Sequence, residues 1–192
     1  MLRQAQHYGT DRMTQFTDMA PTLTTGRLLI TALSLDHWEA FAAAWADPQM
    51  TEFIGGEPRT RNESWGKFLQ GIGLWSLFGY GYWAFIDRHT GAFLGNGGLA
   101  QFERGIPELQ GFPEAGWSFV ADAWGQGLAT EAMKAILEWA DAELGKPEIR
   151  CIIDPGNTAS HNVAAKLRFE KIAESSDVIG DLFVYARTSA QR

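Results

Sequence analysis

The chain has 192 residues, a length that suits a single domain with a sizeable hydrophobic core. Hydrophobic residues make up 45% of it and aromatic residues 12%, which excludes a disordered polypeptide. The formal net charge is -7 and the Lys and Arg residues are scattered, which argues against nucleic acid as the main partner and favours a cationic substrate such as an amine.

The N-terminal segment and the cysteine content bear on where the protein works. Residues 1–21 are polar and aperiodic and are expected to form a flexible tail before a single domain over residues 22–192. The sequence contains no apolar run of membrane-spanning length and no signal-peptide pattern at its start. The single cysteine, Cys151, excludes an internal disulfide framework. We therefore expect a cytoplasmic protein without a membrane partner.

Strands and helices alternate along the predicted domain. In chain order, hydrophobic periodicity and turn signals predict strand 27–33, helix 35–46, a short helix before Gly55-Gly56, and a helix opened by the capping box of Thr60 and Glu63. A hairpin follows over 82–87 and 92–102, then strand 114–120, helix 127–144, strand 149–153, helix 158–167 and strands 170–174 and 182–187. The crossover between strands 114–120 and 149–153 is long enough to make those two strands parallel.

The turn between strand 114–120 and the following helix is rich in glycine. Its residues are Gly125, Gln126, Gly127, Leu128, Ala129 and Thr130. Backbone N–H groups at a helix start have no helical carbonyl partner, and the helix dipole is positive there. Because glycine keeps side chains away from the backbone, the pattern predicts a diphosphate site; a turn that binds nothing is the alternative.

Two other phosphate-binding loops fit the sequence less well. A P-loop requires Ser or Thr after Gly-Lys, but Phe68 and Pro147 follow the two Gly-Lys pairs of this chain. A dinucleotide-binding fingerprint requires Gly or Ala where Thr130 stands. It also closes the first strand of its unit, whereas this turn lies late in the chain. Both comparisons disfavour a nucleotide- or dinucleotide-binding protein.

Three motifs follow one another along the chain. Residues 23–30 read Leu-Thr-Thr-Gly-Arg-Leu-Leu-Ile, residues 124–132 read Trp-Gly-Gln-Gly-Leu-Ala-Thr-Glu-Ala, and residues 157–169 read Asn-Thr-Ala-Ser-His-Asn-Val-Ala-Ala-Lys-Leu-Arg-Phe. In this order they resemble the RimJ/RimL-like branch of the GNAT superfamily of N-acetyltransferases. The sequence departs from that pattern at Arg168, where Gly is usual, and at Ala164, where many relatives carry Tyr.

The resemblance implies a fold and an activity. The fold is α/β (α+β), with a mixed, mostly antiparallel central sheet, a splayed pair of parallel strands, and helices on both faces. The activity is the direct transfer of an acetyl group from acetyl-CoA to a primary amine, either a protein N-terminus or a small molecule. No metal is expected, since the four histidines lack ligand spacing. A homodimer is left open.

The resemblance also implies coenzyme contacts. The glycine-rich turn would hold the diphosphate of acetyl-CoA. Backbone groups of Phe119 and Val120 would lie beside the pantetheine amides and the thioester carbonyl, where an N–H would also stabilise the developing oxyanion. Asn157, Asn162 and Lys166 would contact the coenzyme as well. For Asn157 the alternative is a helix cap, and for the other two it is a solvated helix position.

Transfer to an amine further requires two proton movements. Glu114 matches the family pattern and is the predicted base that takes a proton from the acceptor ammonium, with a solvated strand-end carboxylate as the alternative. Ser160 or a water would protonate the leaving thiolate, because Ala164 occupies the usual place of Tyr. Four carboxylates on loops are weaker candidates for the base: Glu52, Glu57, Glu103 and Glu108.

One function without catalysis also fits the sequence. An acyl-CoA-binding regulatory module would keep the glycine-rich turn but not the base, and the absent Tyr is compatible with it.

A covalent acyl-enzyme is not expected. Cys151 lies in the apolar run Ile149–Ile153, which is typical of a small core residue rather than a nucleophile.

Overall fold

The computed structural model describes residues 20–145, 147–177 and 180–188. The predicted flexible tail lies outside these residues except for its last two. The strands of the sheet are β1 (Leu23–Thr24), β2 (Leu28–Ala32), β3 (Tyr82–Asp87), β4 (Phe93–Ala100), β5 (Glu114–Phe119), β6 (Ile149–Ile153), β7 (Glu170–Asp177) and β8 (Gly180–Arg187). The α-helices are α1 (Trp38–Trp45), α2 (Pro48–Thr51), α3 (Arg61–Phe78), α4 (Leu128–Glu143) and α5 (Thr158–Lys166). Over the described ranges, no helix has both the length and the apolar character to cross a membrane.

The strands form one sheet in the order β1-β2-β3-β4-β5-β6-β8-β7. Neighbours are antiparallel except β5 and β6, which are parallel because the α4 crossover connects them. These two strands pair only at their starts, where Glu114 lies opposite Arg150 and the Arg150 N–H donates to the Pro113 carbonyl at 3.0 Å. Beyond that point they separate, so the predicted mixed sheet with a splayed parallel pair is confirmed.

Alternate residues of β3 pack on opposite faces of the sheet. Trp83 and Phe85 pack in the core that includes α4, whereas Ala84 and Ile86 pack in the core formed with α1 and α3. Successive residues of a strand point to opposite faces, so this run of four buried apolar residues lies between two helical layers. The predicted helices on both faces are therefore confirmed.

Most predicted elements are present, and the differences concern short segments. Thr60 and Glu63 form the predicted capping box of α3, with the Thr60 N–H donating to the Glu63 carboxylate at 2.8 Å. β1 escapes prediction because a strand of 2 residues has no periodicity. The loop predicted after β4 contains a 3-10 turn at Pro107–Leu109, and Leu109 packs against Val184 of β8.

Candidate active site

Two cavities open where β5 and β6 separate. The larger has a volume of about 500 Å³ and extends along the starts of α4 and α5. The smaller has a volume of about 210 Å³ and reaches from β5 and β6 to α3 and the loop before it. Both are lined by Trp117 and Ser118 of β5 and by Asn157 and Ser160 at the start of α5. The two cavities therefore meet at the gap between the parallel strands.

The predicted glycine-rich turn forms one wall of the larger cavity. Gly125 has a φ of 70° and Gly127 a φ of 76°, the left-handed region in which a side chain would be strained. Gly127 is the N-cap of α4 and gives no side-chain hydrogen bond to the N–H groups of the first turn. Five of the six predicted residues line the cavity beside this uncapped helix start: Gly125, Gly127, Leu128, Ala129 and Thr130.

A carboxylate ties this turn to the β1–β2 connection. The Glu131 carboxylate accepts hydrogen bonds from Thr25 Oγ1 at 2.6 Å, the Arg27 N–H at 2.9 Å and Arg27 Nε at 2.7 Å. Arg27 Nη1 also donates to the Gln126 carbonyl at 2.8 Å and so holds the turn directly. The Gln126 side chain donates to the Asp122 carbonyl at 2.8 Å and lines neither cavity, although it is a predicted coenzyme contact.

The first and second sequence motifs are thus parts of one structure, because Thr25 and Arg27 belong to the first and Glu131 to the second. Burial raises the pKa of Glu131, but hydrogen bonds from Thr25 and Arg27 outweigh that effect and hold the pKa below its ordinary value. The carboxylate is therefore charged at neutral pH and can accept these bonds.

Trp124 and the end of β5 continue the wall of the larger cavity. Trp124 Nε1 donates to the Phe119 carbonyl at 2.7 Å, while the Trp124 residue is 49% exposed. Phe119 and Trp124 both line the cavity, but Val120 does not. The Val120 N–H donates to the Leu94 carbonyl at 2.9 Å. The Val120 N–H is therefore already bonded in this structure, and the stabilisation of an oxyanion by an N–H of this stretch stays a prediction.

The start of α5 forms the opposite wall. Asn157 is its N-cap, and Asn157 Oδ1 accepts a hydrogen bond from the Ser160 N–H at 3.0 Å. The capping alternative for Asn157 is therefore present, and the residue also lines both cavities. Asn162 and Lys166 follow on the same helix and line the larger cavity. The structure brings these three predicted coenzyme contacts to one wall.

Glu114 begins β5 and lines the smaller cavity. Its side chain is 6% exposed, so the alternative of a solvated strand-end carboxylate is wrong. Arg104 Nε donates to both carboxylate oxygens, at 2.8 Å and 3.1 Å, and so pairs the buried charge. The other carboxylates considered as bases all lie in the described part of the chain and do not line this cavity: Glu52, Glu57, Glu103 and Glu108.

A tyrosine hydroxyl lies over β5, and the sequence prediction misses it. A Cβ atom at Gly116 would collide with the Tyr82 hydroxyl oxygen, so glycine permits this approach. The β4–β5 register runs without a shift, which shows a close approach at Gly116 rather than a bulge. Burial, reinforced by the charge of Glu114 and opposed by Arg104, raises the pKa of Tyr82 well above its ordinary value. Tyr82 is therefore protonated at neutral pH.

Three basic side chains also line the smaller cavity: Arg59, Lys67 and Arg104. Lys67 Nζ lies 4.5 Å from the centre of the Trp45 ring. Burial, followed by repulsion from Arg59 and Arg104, lowers the pKa of Lys67 from 10.5 to about 8, while Glu114 acts in the opposite direction. The sequence prediction misses Arg59 and Lys67 because single basic residues without a motif are usually solvated.

A buried polar network supports the junction of the two cavities. Trp45 Nε1 donates to Asn96 Oδ1 at 3.2 Å, and Ser118 Oγ donates to the same oxygen at 3.0 Å. Asn96 is 3% exposed and Ser118 6%. These bonds connect α1, β4 and β5, and so they fix the Trp45 ring beside Lys67.

Other reactive groups of the described chain lie outside this arrangement. Cys151 is buried within β6, and burial, reinforced by the charge of Glu114, raises the pKa of its thiol. The prediction that it is a core residue is confirmed. Ala164 is buried in the core and lines neither cavity. In the residues that the structure describes, no three His, Cys, Asp or Glu side chains are placed to hold a metal ion.

The comparisons with known proteins agree with this geometry. Residues 27–170 match the family model described as an acetyltransferase (GNAT) domain. The uncharacterized N-acetyltransferase p20 of Bacillus licheniformis is 26% identical over 151 residues, which cover 78% of this chain and 83% of p20. The uncharacterized protein YkkB of Bacillus subtilis is 33% identical over 135 residues, which cover 69% of this chain and 74% of YkkB. The structure of an acetyltransferase from Agrobacterium tumefaciens superposes with a TM-score of 0.75 at 27% identity and covers 96% of this chain and 98% of its own. The chain therefore belongs to the GNAT family and is an acetyltransferase.

Proposed function

We propose that this protein is an acetyl-CoA-dependent N-acetyltransferase of the RimJ/RimL-like branch, which transfers an acetyl group directly to a primary amine. The observation that carries the proposal is the meeting of the two cavities at the gap between β5 and β6. One ends on the uncapped, glycine-rich start of α4, and the other contains the buried carboxylate of Glu114. The motif at residues 124–132 supports the branch.

Acetyl-CoA supplies an activated acetyl thioester, and the larger cavity fits it. The first-turn N–H groups of Leu128, Ala129 and Thr130 would bind the diphosphate, because no side chain caps them and they lie at the positive end of α4. Asn162 and Lys166 would bind the coenzyme from α5. Asn157 would contribute its NH₂ group, since its Oδ1 is used in the helix cap.

The acceptor ammonium must lose a proton before its nitrogen can attack. Glu114 takes this proton, directly or through a water, because its carboxylate lies in the smaller cavity. The ion pair with Arg104 fixes the position of the carboxylate. This pairing makes Glu114 a positioned base, and part of the rate would come from orientation of the acceptor.

The leaving thiolate must gain a proton, and two hydroxyl groups are available. Ser160 lines both cavities and therefore stands where they meet. The Tyr82 hydroxyl lies over Gly116 of β5 and remains protonated at neutral pH. Turnover of Ser160→Ala and Tyr82→Phe distinguishes them, since removal of the donor should lower kcat without changing acetyl-CoA affinity.

One assay tests the proposed function. Purified protein is mixed with acetyl-CoA and a panel of amines, thiol release is followed, and acetyl-CoA binding is measured by calorimetry. We expect amine-dependent thiol release and an unmodified Cys151 peptide by mass spectrometry. Binding without release for any amine would instead support the regulatory module, and an acetylated Cys151 would contradict direct transfer. No binding of acetyl-CoA would overturn the proposal.

A further inference from the structure

Two basic side chains of the smaller cavity have no acidic side chain within ion-pair distance among the described residues, although the charge of Arg59 reaches Glu63 and that of Lys67 reaches Glu114. Within the described part of the chain, neither Arg59 nor Lys67 takes part in an ion pair. Arg59 Nη2 donates only a long hydrogen bond to the Ile54 carbonyl, at 3.4 Å, and Arg59 Nε is buried without a partner. Buried polar groups are normally paired, so the protein itself satisfies the Arg59 guanidinium poorly, and this side chain lines the cavity with only a long hydrogen bond to hold it among the described residues.

Lys67, on a different element, likewise forms no ion pair in the described part of the chain. It lies on α3, half-buried above the Trp45 ring, and it lines the same cavity as Arg59. Burial and the charges of Arg59 and Arg104 disfavour its ammonium form, and Glu114 offsets them only in part. An anion bound between Arg59 and Lys67 would relieve this repulsion and would accept hydrogen bonds from both side chains.

The charges of the cavity are also divided. The lining holds two carboxylates, that of Glu114, which is paired with Arg104, and that of Asp154, and these can meet a cation. Arg59 and Lys67 are left to meet an anion. The net charge of -7 favours a cationic substrate, whereas these two side chains favour an anionic one. A molecule that carries both an ammonium and an oxyanion satisfies both.

The size of the cavity limits that molecule. Its volume of about 210 Å³ is below the range of about 300–1,000 Å³ that is typical of pockets for drug-sized ligands. A free amino acid or a molecule of similar size would fit such a volume, and of a larger acceptor only the amine-bearing end would enter, because the cavity is open to solvent.

We propose that the acceptor is a small amine that also carries an oxyanion, a carboxylate or a phosphate, and that Arg59 and Lys67 bind this oxyanion. The proposal rests on the proposed function, because it assigns the acceptor of the same site. It separates this protein from acetyltransferases of amines that carry no acidic group.

The test uses matched acceptors that differ only in the anionic group. Thiol release from acetyl-CoA is compared for amino acids, for their carboxamides and for the corresponding amines without the carboxyl group. Phosphoethanolamine against ethanolamine distinguishes a phosphate from a carboxylate. We expect kcat/KM to be at least tenfold higher for the acidic member of the preferred pair. Calorimetry of the same compounds with the CoA-saturated protein measures acceptor binding without turnover.

Variants locate the group that recognises the oxyanion. Lys67→Met keeps an unbranched side chain over Trp45 and removes the charge, and Arg59→Gln removes the other charge. Each should reduce the preference for the acidic acceptor, measured as the ratio of the two kcat/KM values, at least tenfold. Lys134→Met is the matched control, because Lys134 lies on α4 with a side chain 69% exposed. It makes the same change in net charge and should leave the preference intact.

Three results would overturn the inference. The first is an acceptor without an anionic group, or a peptide N-terminus without acidic residues, that is used as well as every acidic small molecule. The second is calorimetry in which no acidic compound binds more tightly than its partner without the anionic group. The third is an acidic preference that survives in both Lys67→Met and Arg59→Gln. These outcomes concern the acceptor alone, whereas the failure of the proposed function would appear as absent acetyl-CoA binding or absent transfer to any amine.

Discussion

The two cavities of this protein are built in different ways. The larger is lined mainly by two continuous segments, the glycine-rich turn with the first turn of α4 and the start of α5. The smaller combines stretches of β5 and β6 with single side chains that converge from separate elements, such as Trp45 of α1, Lys67 of α3 and Tyr82 of β3. A site formed by consecutive backbone groups leaves a motif in the sequence, whereas a site formed by converging side chains does not.

The helix starts of the two regions show the same difference. Thr60 and Glu63 close the start of α3 with a capping box, and Asn157 caps α5. Only Gly127 stands at the start of α4, without a side-chain cap. A capped start has satisfied its donors, while the start of α4 keeps them for a ligand. The starts of α4 and α5 both line the larger cavity, and of these two the start of α4 is the one without a side-chain cap.

The largest expected effect concerns the smaller cavity alone. Glu114→Gln keeps the shape of the side chain and removes the base, so kcat/KM at pH 7 should fall by roughly 10²- to 10⁴-fold. Acetyl-CoA affinity measured by calorimetry should remain unchanged, because the larger cavity is intact. Activity should recover in part at high pH, where more of the amine is already deprotonated.

Glu103→Gln serves as the comparison for that variant. Glu103 is another carboxylate considered as a base, but it is exposed and does not line the smaller cavity. Its variant should turn over like the wild type. A loss in Glu103→Gln together with normal turnover in Glu114→Gln would move the base to the loop after β4.

The converse effect is expected in the larger cavity. Gly127→Asp places a carboxylate beside the diphosphate and should weaken acetyl-CoA binding at least tenfold. Gly91→Asp is its matched control, because Gly91 also has a left-handed φ, 74°, but lies in the turn between β3 and β4. Equal coenzyme affinity in the two folded variants would show that the start of α4 is not the diphosphate site.

The sequence predicts these two regions to different degrees. The role of Gly125 and Gly127 in a turn can be predicted from the sequence, because their left-handed backbone requires glycine and because they precede a periodic helix. Gly116 is a glycine within a strand, a pattern compatible with a bulge or a close approach, but only the structure shows that the approaching group is the Tyr82 hydroxyl, 34 positions earlier in the chain. Lys67 and Arg59 become a pair only when the loop before α3 packs beside β5. No spacing of residues in the sequence predicts that these two side chains line the same cavity.

A smaller effect tests whether coenzyme binding at the glycine-rich turn also depends on the side chain of Glu131. Glu131→Gln should weaken the contacts to Thr25 and Arg27, lower the free energy of unfolding by roughly 1–2 kcal/mol at pH 7, and weaken acetyl-CoA binding several-fold. Because the folded pKa of Glu131 is depressed, its stabilisation is complete above the unfolded value of about 4.5 and is lost as the pH falls through the folded value. The difference from the wild type in thermal unfolding should therefore shrink below about pH 4.5.

Glu138→Gln, on the same helix, is the control that distinguishes the contacts of Glu131 with Thr25 and Arg27 from a general effect of removing a negative charge. Glu138 is 66% exposed in its side chain, and its closest approach to Lys134 is 3.9 Å. Such exposed pairs contribute little to stability. Equal losses in Glu131→Gln and Glu138→Gln would mean that the link between the first two motifs does not position the turn.

The smallest effect concerns a position outside both cavities, where only stability should change. Arg168 has a φ of 63°, the left-handed conformation that disfavours residues with a side chain. The family pattern has Gly there, so Arg168→Gly should relieve strain of roughly 1–2 kcal/mol. Part of that gain is offset by the greater freedom of Gly in the unfolded chain, which leaves a net stabilisation of roughly 0.5–1 kcal/mol. Thermal unfolding should show a midpoint up to roughly 4 °C higher, with acetyl-CoA affinity and turnover unchanged. Lys134→Gly, within α4, should instead destabilise by roughly 1 kcal/mol, and a loss of stability in Arg168→Gly as well would show that the Arg168 side chain makes contacts that outweigh its backbone strain.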